Sequence, residues 1–112
     1  MELLTVLKAI ADETRLKIIK LLLGHDYCVK GLAKRLDISE SAVSQHLKLL
    51  KEIGILEGEK RGYYIHYKVN REVLYEVAKQ LEGLSDMKSK SCIIAHQKNC
   101  QKERCQCQFK QT

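Results

Sequence analysis

Proline and tryptophan are both missing from this 112-residue chain, and phenylalanine occurs once. Five tyrosines are the other aromatics, so a core must be built from aliphatic side chains. No apolar run nears the ~20 residues of a membrane-spanning helix. The N-terminus also lacks the basic start and small-residue cleavage site of a secretory signal. The chain is therefore expected in the cytoplasm, with no membrane partner. There its five cysteines, an odd number, are expected as thiols rather than structural disulfides. Internal repeats, a phosphate-binding loop, an acid–base constellation and a nucleophile motif are absent too, so nothing points to an enzyme. What remains, 45% apolar, is enough for one small domain.

The net charge of +6 is unevenly placed. Residues 1–86 carry 14 Lys and Arg against 13 Asp and Glu, a net of +1, whereas residues 87–112 carry 6 against 1, a net of +5. The basic balance is thus mostly a property of the C-terminal end. Any nucleic-acid contact by the body must rest on local clusters, namely Lys30, Lys34, Arg35, Lys48, Lys51, Lys60 and Arg61.

One acid-poor stretch organises the body, Leu36 to Lys51. Ser39 is a good helix N-cap, and Glu40 puts a negative charge where the helix dipole favours it. Val43, Leu47 and Leu50 then form an apolar stripe, widened by Ala42, Leu49 and Ile53. Ser41, Ser44, Gln45 and Lys48 share the other side, which offers hydroxyls, an amide and an ammonium but no carboxylate. Such a surface can bond base edges and phosphates without repelling them. Taken alone it is equally a solvated helix face that happens to lack acids.

Its neighbours weigh toward nucleic acid. Val29, Leu32, Ala33 and Leu36 make a short amphipathic helix with Lys30, Lys34 and Arg35 outside, and only Asp37 and Ile38 precede the Ser39 cap. Two helices so joined form a helix-turn-helix, whose second member enters the major groove. Gly54 suits a helix C-cap. Two strand-like runs follow, Ile55–Lys60 and Tyr63–Val69, joined by Lys60-Arg61-Gly62 with the two cations at the tip. Tyr63, Ile65, Tyr67 and Val69 alternate with Tyr64, His66 and Lys68, the period of a half-buried strand. Helix, turn, helix and basic hairpin together specify a winged helix-turn-helix, mainly α with one small β-hairpin.

Earlier in the chain, Leu3, Leu4, Leu7, Ile10 and Ala11 give a short apolar helix. Asp12 caps the next, where Leu16, Ile18, Ile19, Leu21, Leu22 and Leu23 surround most of the circumference, as in a central core helix. Gly24 ends it, and His25-Asp26-Tyr27 is a connecting turn. Asn70 caps a final helix built on Leu74, Val77, Ala78, Leu81 and Leu84, which Gly83 weakens by ~1 kcal/mol without ending it. The first and last helices either complete the monomer core or form a two-fold dimer interface. Two recognition helices one DNA turn apart favour the dimer. The division expected is a DNA-binding and dimerisation domain over residues 1–86 and a cysteine-rich basic tail over 87–112, frayed and mobile.

Several motifs resemble those of the ArsR/SmtB repressors. Ile10-Ala11-Asp12-Glu13-Thr14-Arg15-Leu16-Lys17-Ile18-Ile19 is similar to their L-A-D-x-T-R-L-x-I-L opening. Ser41-Ala42-Val43-Ser44-Gln45-His46-Leu47-Lys48-Leu49-Leu50 with Ile53-Gly54-Ile55-Leu56 resembles their recognition-helix signature, S-x-x-S-x-H-L-x-x-L-x-x-A-G-L-V. Arg61-Gly62-Tyr63-Tyr64 resembles their wing. The resemblance spans roughly residues 3–82. It implies a homodimeric repressor that leaves its double-stranded DNA operator when an inducer, usually a metal or metalloid ion, binds. With it, the candidate DNA contacts are Lys30, Lys34, Ser39, Ser41, Ser44, Gln45, His46, Lys48, Lys60, Arg61 and Tyr64. The family's thiolate-sensing helix, E-L-C-V-C-D-L, corresponds here to Asp26-Tyr27-Cys28-Val29-Lys30-Gly31-Leu32. Cys28 matches the first cysteine, but Lys30 stands at the second. The Asp-x-His signature of zinc-sensing final helices is absent.

The tail carries instead Cys92, His96, Cys100, Cys105 and Cys107 within sixteen hydrophilic residues. Free cysteine usually behaves as a small buried hydrophobe, so this placement calls for a chemical reason. In a continuous helix Cys92, His96 and Cys100 would share a face. Cys92 and Cys100 would then lie about 12 Å apart at ~1.5 Å per residue, so one ion using both requires a bend. Thiolates select soft ions: Zn(II) or Cd(II) with three or four S/N ligands, or As(III) with three sulfurs. Lys98, Lys102 and Arg104 favour the thiolate form, which also suits oxidation. Three readings stand: a soft-ion site governing DNA release, a thiol-redox or persulfide switch on the same scaffold, and a metal-buffering or interaction module that no longer reads DNA. A tail with incidental cysteines is the plainest case. Cys28 alone reads as a packed helix-start residue, and His25 and His66 as ordinary surface residues.

Overall fold

A computed structural model describes residues 2–90. Its elements are α1 (Leu3–Ile10), α2 (Glu13–Gly24), α3 (Val29–Leu36), α4 (Glu40–Glu52), β1 (Leu56–Arg61), β2 (Tyr64–Val69) and α5 (Arg71–Ser85). The described residues up to Glu82 form one compact unit, and a second begins at Gly83. Within the second, the described residues are the end of α5 and an exposed stretch without regular structure.

The core of the first unit is aliphatic throughout. Val6 and Ala9 of α1, Ile18, Ile19 and Leu22 of α2, and Leu32 and Ala33 of α3 meet Val43, Leu47 and Leu50 of α4. Ile55, Leu56, Val69 and Val77 close it from the wing side and from α5. Tyr27 and Tyr67 pack on its edge, and no polar or charged described residue is buried. The helix α2 is less central than its leucines suggest. Leu16 is 41% exposed, and Leu21 and Leu23 are only half-buried.

Local chemistry sets the joints. The α3–α4 turn is made at Asp37, whose φ of 59° and ψ of 46° lie in the left-handed region that a short polar side chain tolerates. Ile38 N–H then reaches back to the Ala33 carbonyl at 3.2 Å. Ser39 Oγ accepts from Ala42 N–H at 3.0 Å, opening α4 as a capped helix. At the far end, Gly54 N–H bonds Lys51 O and Ile55 N–H bonds Leu50 O, both at 3.0 Å, the paired bonds of a Schellman cap. Gly54 sits at φ +88°, which only glycine takes without strain. Asn70 accepts from Glu72 N–H at 3.2 Å and so opens α5, which runs through Gly83 to Ser85.

The hairpin pairs Leu56 with Val69 through to Arg61 with Tyr64. Its loop is therefore Gly62-Tyr63, with Gly62 at φ +66° in the first central position. The expected tip of Lys60 and Arg61 is corrected by one to two residues, since both belong to β1. His25-Asp26-Tyr27 is likewise more than a connecting turn. Tyr27 forms an antiparallel bridge to Tyr67, and its carbonyl accepts the Tyr67 N–H at 3.0 Å. Beyond that bridge the wing leaves the core. Tyr67 and Val69 turn inward, but Ile65 is exposed, so the alternation buries only the base of β2.

Asp12 caps α2 by accepting Arg15 N–H at 3.0 Å. That bond, reinforced by the Arg15 guanidinium and by His46, holds the Asp12 carboxyl below its ordinary pKa. The stabilisation is complete above the unfolded carboxylate range and fades as pH falls through the lower folded value. Asn caps comparably but does not titrate. Asp12→Asn should therefore lose melting temperature less steeply than the wild type below about pH 4. Thermal melts followed by circular dichroism test this; parallel curves would show that the cap carries no charge-dependent stability.

Candidate nucleic-acid interface

The helix α4 separates its faces cleanly. At about 100° per residue, Ser41, Ser44, Gln45 and Lys48 fall within an arc of about 100° on the side away from Val43, Leu47 and Leu50. All four are exposed, while those three apolar residues are buried. Ser39 is exposed as well, though its hydroxyl is engaged in the cap. The flank carrying Ala42 and Ile53 is half-buried, and Leu49 on the same flank is 37% exposed.

His46 departs from the outward set. It is half-buried on the flank, about 100° from Gln45, and its Nδ1 stands 3.4 Å from the Arg15 guanidinium of α2. Its surroundings are those of a structural contact rather than a base-reading group. On α3, Lys30 and Lys34 project from the outer face. Arg35 turns about 100° away from Lys34 and joins Lys17, Lys20, Leu21 and Leu36 around a cleft of about 240 Å³ against α2. The three α3 cations are thus two groups, not one.

On the wing, Lys60 is exposed. The Arg61 guanidinium reaches Asp26 Oδ2 at 2.8 Å and Glu59 Oε1 at 3.1 Å. Its hydrogen bonds to Glu59 and then Asp26 push its pKa further up. A phosphate at this position has to compete with two carboxylates. Tyr64 is exposed, and Tyr63 at the tip is 99% exposed. Tyr63 was not singled out from the sequence, where tyrosine reads as a strand former. The glycine before it was the usable signal, because a two-residue turn opening on glycine puts the next residue at the apex.

Cys28 occupies the N-cap position of α3 without capping it and is a half-buried free thiol. It borders a cleft of about 290 Å³ with Lys30, Glu40, Tyr63, Tyr64 and Tyr67, where α3 and α4 begin beside the wing. His25 is exposed, edge-on to Tyr27 with ring centroids 6.3 Å apart. His66 is not an ordinary surface residue: it is half-buried, and its Nδ1 is enclosed without a hydrogen-bond partner. Among the described residues no three His, Cys, Asp or Glu side chains are grouped to hold a metal, and no helix is long and apolar enough to cross a membrane. The candidate ligands Cys92, His96, Cys100, Cys105 and Cys107 lie outside the described residues.

The family model for the bacterial regulatory proteins of the arsR family matches residues 12–57, from the cap of α2 into the first strand of the wing. The transcriptional repressor SdpR of Bacillus subtilis (strain 168) is 38% identical over 71 residues, 63% of this chain and 79% of that protein. The chain belongs to the arsR family. The arsenical resistance operon repressor of Escherichia coli (strain K12) is 42% identical over 77 residues, covering 67% of this chain and 65% of its own length, just under two thirds. Among solved structures, an ArsR-like transcriptional regulator from Rhodococcus sp. RHA1 superposes with a TM-score of 0.69 at 35% identity, over 74% of this chain and 78% of that one. The fold is thus a winged helix-turn-helix of transcriptional regulators, a DNA-binding class and not an enzyme class.

The Asp26–Arg61 pair makes a measurable claim about the wing. Removing one carboxylate should free the guanidinium for a phosphate. Asp26→Asn is expected to tighten binding to duplex DNA by about two- to fivefold at low salt and to steepen the salt dependence, since exposed ion pairs are weak and screened. Fluorescence anisotropy across a salt series checks it; unchanged affinity and slope would mean that Arg61 does not engage DNA.

Proposed function

We propose that this arsR-family regulator is a homodimeric repressor which reads its operator through α4 and is released by a soft metal or metalloid ion, As(III), Cd(II) or Zn(II), bound at C-terminal cysteines. The observation carrying the first half is the outward arc of Ser41, Ser44, Gln45 and Lys48, exposed and free of carboxylates on a capped, rigid helix. Gln45 suits a bidentate contact to adenine, and Lys48 a guanine edge or a phosphate. Lys30 and Lys34 flank it from α3, and Lys60, Arg61 and Tyr64 extend the surface along the wing. Ser39 supports it as the cap.

Dimerisation rests on apolar side chains that the monomer leaves in water. Leu4 of α1 and Tyr75, Leu81 and Leu84 of α5 are all exposed, and Met87 follows just beyond α5. A two-fold pairing through these helices would cover them and set two copies of α4 at the spacing of successive major grooves. Control by an ion rests on the cluster of four cysteines and a histidine in a hydrophilic segment, and on kinship with a repressor named for arsenical resistance. Ligation at the tail would act on the adjoining α5 and through it on the dimer. Coupling of about 1–3 kcal/mol gives roughly five- to 150-fold release.

Two experiments test the two halves. Replacing Gln45 and Lys48 together with alanine should weaken binding to duplex from the chain's own promoter by about ten- to hundredfold, with a salt slope shallower by about one. A double variant that binds like the wild type would remove α4 from the reading surface. In the second, the reduced protein on DNA is titrated with As(III), Cd(II) and Zn(II). At least one should release it, with thiolate absorption rising in step, and truncation after Ser91 should abolish the response. Release by mild peroxide or persulfide but by none of the ions would favour a thiol-redox switch on the same cysteines.

A further inference from the structure

Arg15, in the first turn of α2, serves three helices with one residue. Its Nε donates to the Ala9 carbonyl in the last turn of α1 at 2.6 Å, and its Nη1 stands 3.4 Å from His46 Nδ1 on α4. Its backbone N–H meanwhile closes the cap of its own helix on Asp12. Beside it the α1–α4 flank is not filled by side chains. A cleft of about 310 Å³ opens there between Thr5, Lys8 and Ala9 on one side and Leu49 and Ile53 on the other, with Arg15 at its border. The polar bridge through Arg15 therefore spans a flank where apolar packing is incomplete.

We propose that Arg15 is a positioning residue: through His46 it sets the rotation of α4 against the last turn of α1, and DNA affinity depends on that setting. The inference rests on α4 being the reading helix. His46 stands next to Gln45, so a turn of α4 that moves the imidazole also moves the outward arc. Arginine has donors only, so His46 must offer Nδ1 as a lone pair with its proton on Nε2. Protonating the ring removes the acceptor and sets two cations together. The Asp12 carboxylate, close to both Arg15 and His46, offsets part of the repulsion. Charge alone acts the other way, because an added positive charge favours DNA.

The test uses the full chain, a labelled duplex from its own promoter and anisotropy from about pH 8 to about pH 5.5. His46→Asn keeps an acceptor near the Nδ1 position and does not titrate. The wild type is expected to lose about fivefold or more in affinity toward acid, while His46→Asn binds within about twofold of it at neutral pH and stays flat. Arg15→Lys keeps the charge but loses the fork, and should bind about five- to tenfold more weakly at neutral pH with an unchanged circular dichroism spectrum. If Arg15→Lys does not fold, the comparison of His46→Asn with wild type decides. Coincident pH curves for those two, or a folded Arg15→Lys that binds like wild type, would overturn the proposal. Where the Gln45 and Lys48 double variant weakens binding and the pH curves still coincide, only this inference falls. A wild type that binds no duplex at low salt overturns both it and the reading on which it rests.

Discussion

Burial of Val43, Leu47 and Leu50 along one side of α4 is the constraint on which the rest depends. Each such aliphatic side chain contributes about 1.5–3 kcal/mol when removed from water. That is far more than any single surface contact this helix could make. The three residues fix which face of α4 turns to the core, and so which side chains face out. The Asp37 turn and the Ser39 cap fix where the helix starts, and the Schellman cap at Gly54 fixes where it stops. Thirteen residues are thus held at both ends and along one side, which makes the outward arc a rigid display that pays little ordering entropy on meeting DNA.

Electrostatics adds little to that display from a distance. The body is almost neutral, so its cations work only where they are close and unopposed. Lys48 meets that condition on α4, and Lys30 and Lys34 on α3. Arg61 does not, because Glu59 and Asp26 hold its guanidinium. Arg35 does not share the surface of Lys34 at all. The wing therefore contributes less charge than its sequence advertises, and its outermost group is the ring of Tyr63.

Periodic features were legible from residue types alone. The α4 stripe, the two caps at Asp12 and Ser39 and the glycine stop depend on local chemistry, and each appears where spacing put it; the hairpin exists as expected, with its strand ends shifted. What was not legible depends on a partner far along the chain. His46 lies at the border between the faces of α4, and only Arg15, thirty-one residues earlier, draws it inward. Tyr27 is one isolated residue, too short for a pattern, and becomes sheet only because Tyr67 is there to pair with it. The wing tip was misplaced because two basic residues resemble a loop, whereas the register is fixed by Gly62 taking a positive φ. Leu16 and Leu49 kept the hydrophobic period but not the burial, since period says which residues share a face and not whether anything covers it. The tail cysteines were singled out by composition alone, and they lie outside the described residues.

As the proposed reading helix, α4 is held firmly enough to limit how the protein could be switched. Melting α4 would mean exposing three fully packed aliphatic side chains, a cost well beyond the few kcal/mol that an effector supplies. Control has to act instead on the placement of α4 as a unit. The places where it can act are those that packing leaves loose. One is the uncovered apolar side of α1 and α5, where two copies would set their separation. The other is the α1–α4 flank, bridged by a guanidinium where side chains do not fill the space. Both involve α1, the short helix that touches the core through only Val6 and Ala9 among its fully buried residues. On the proposed function it stands as a lever between whatever the C-terminal end would bind and the surface that α4 would show to DNA.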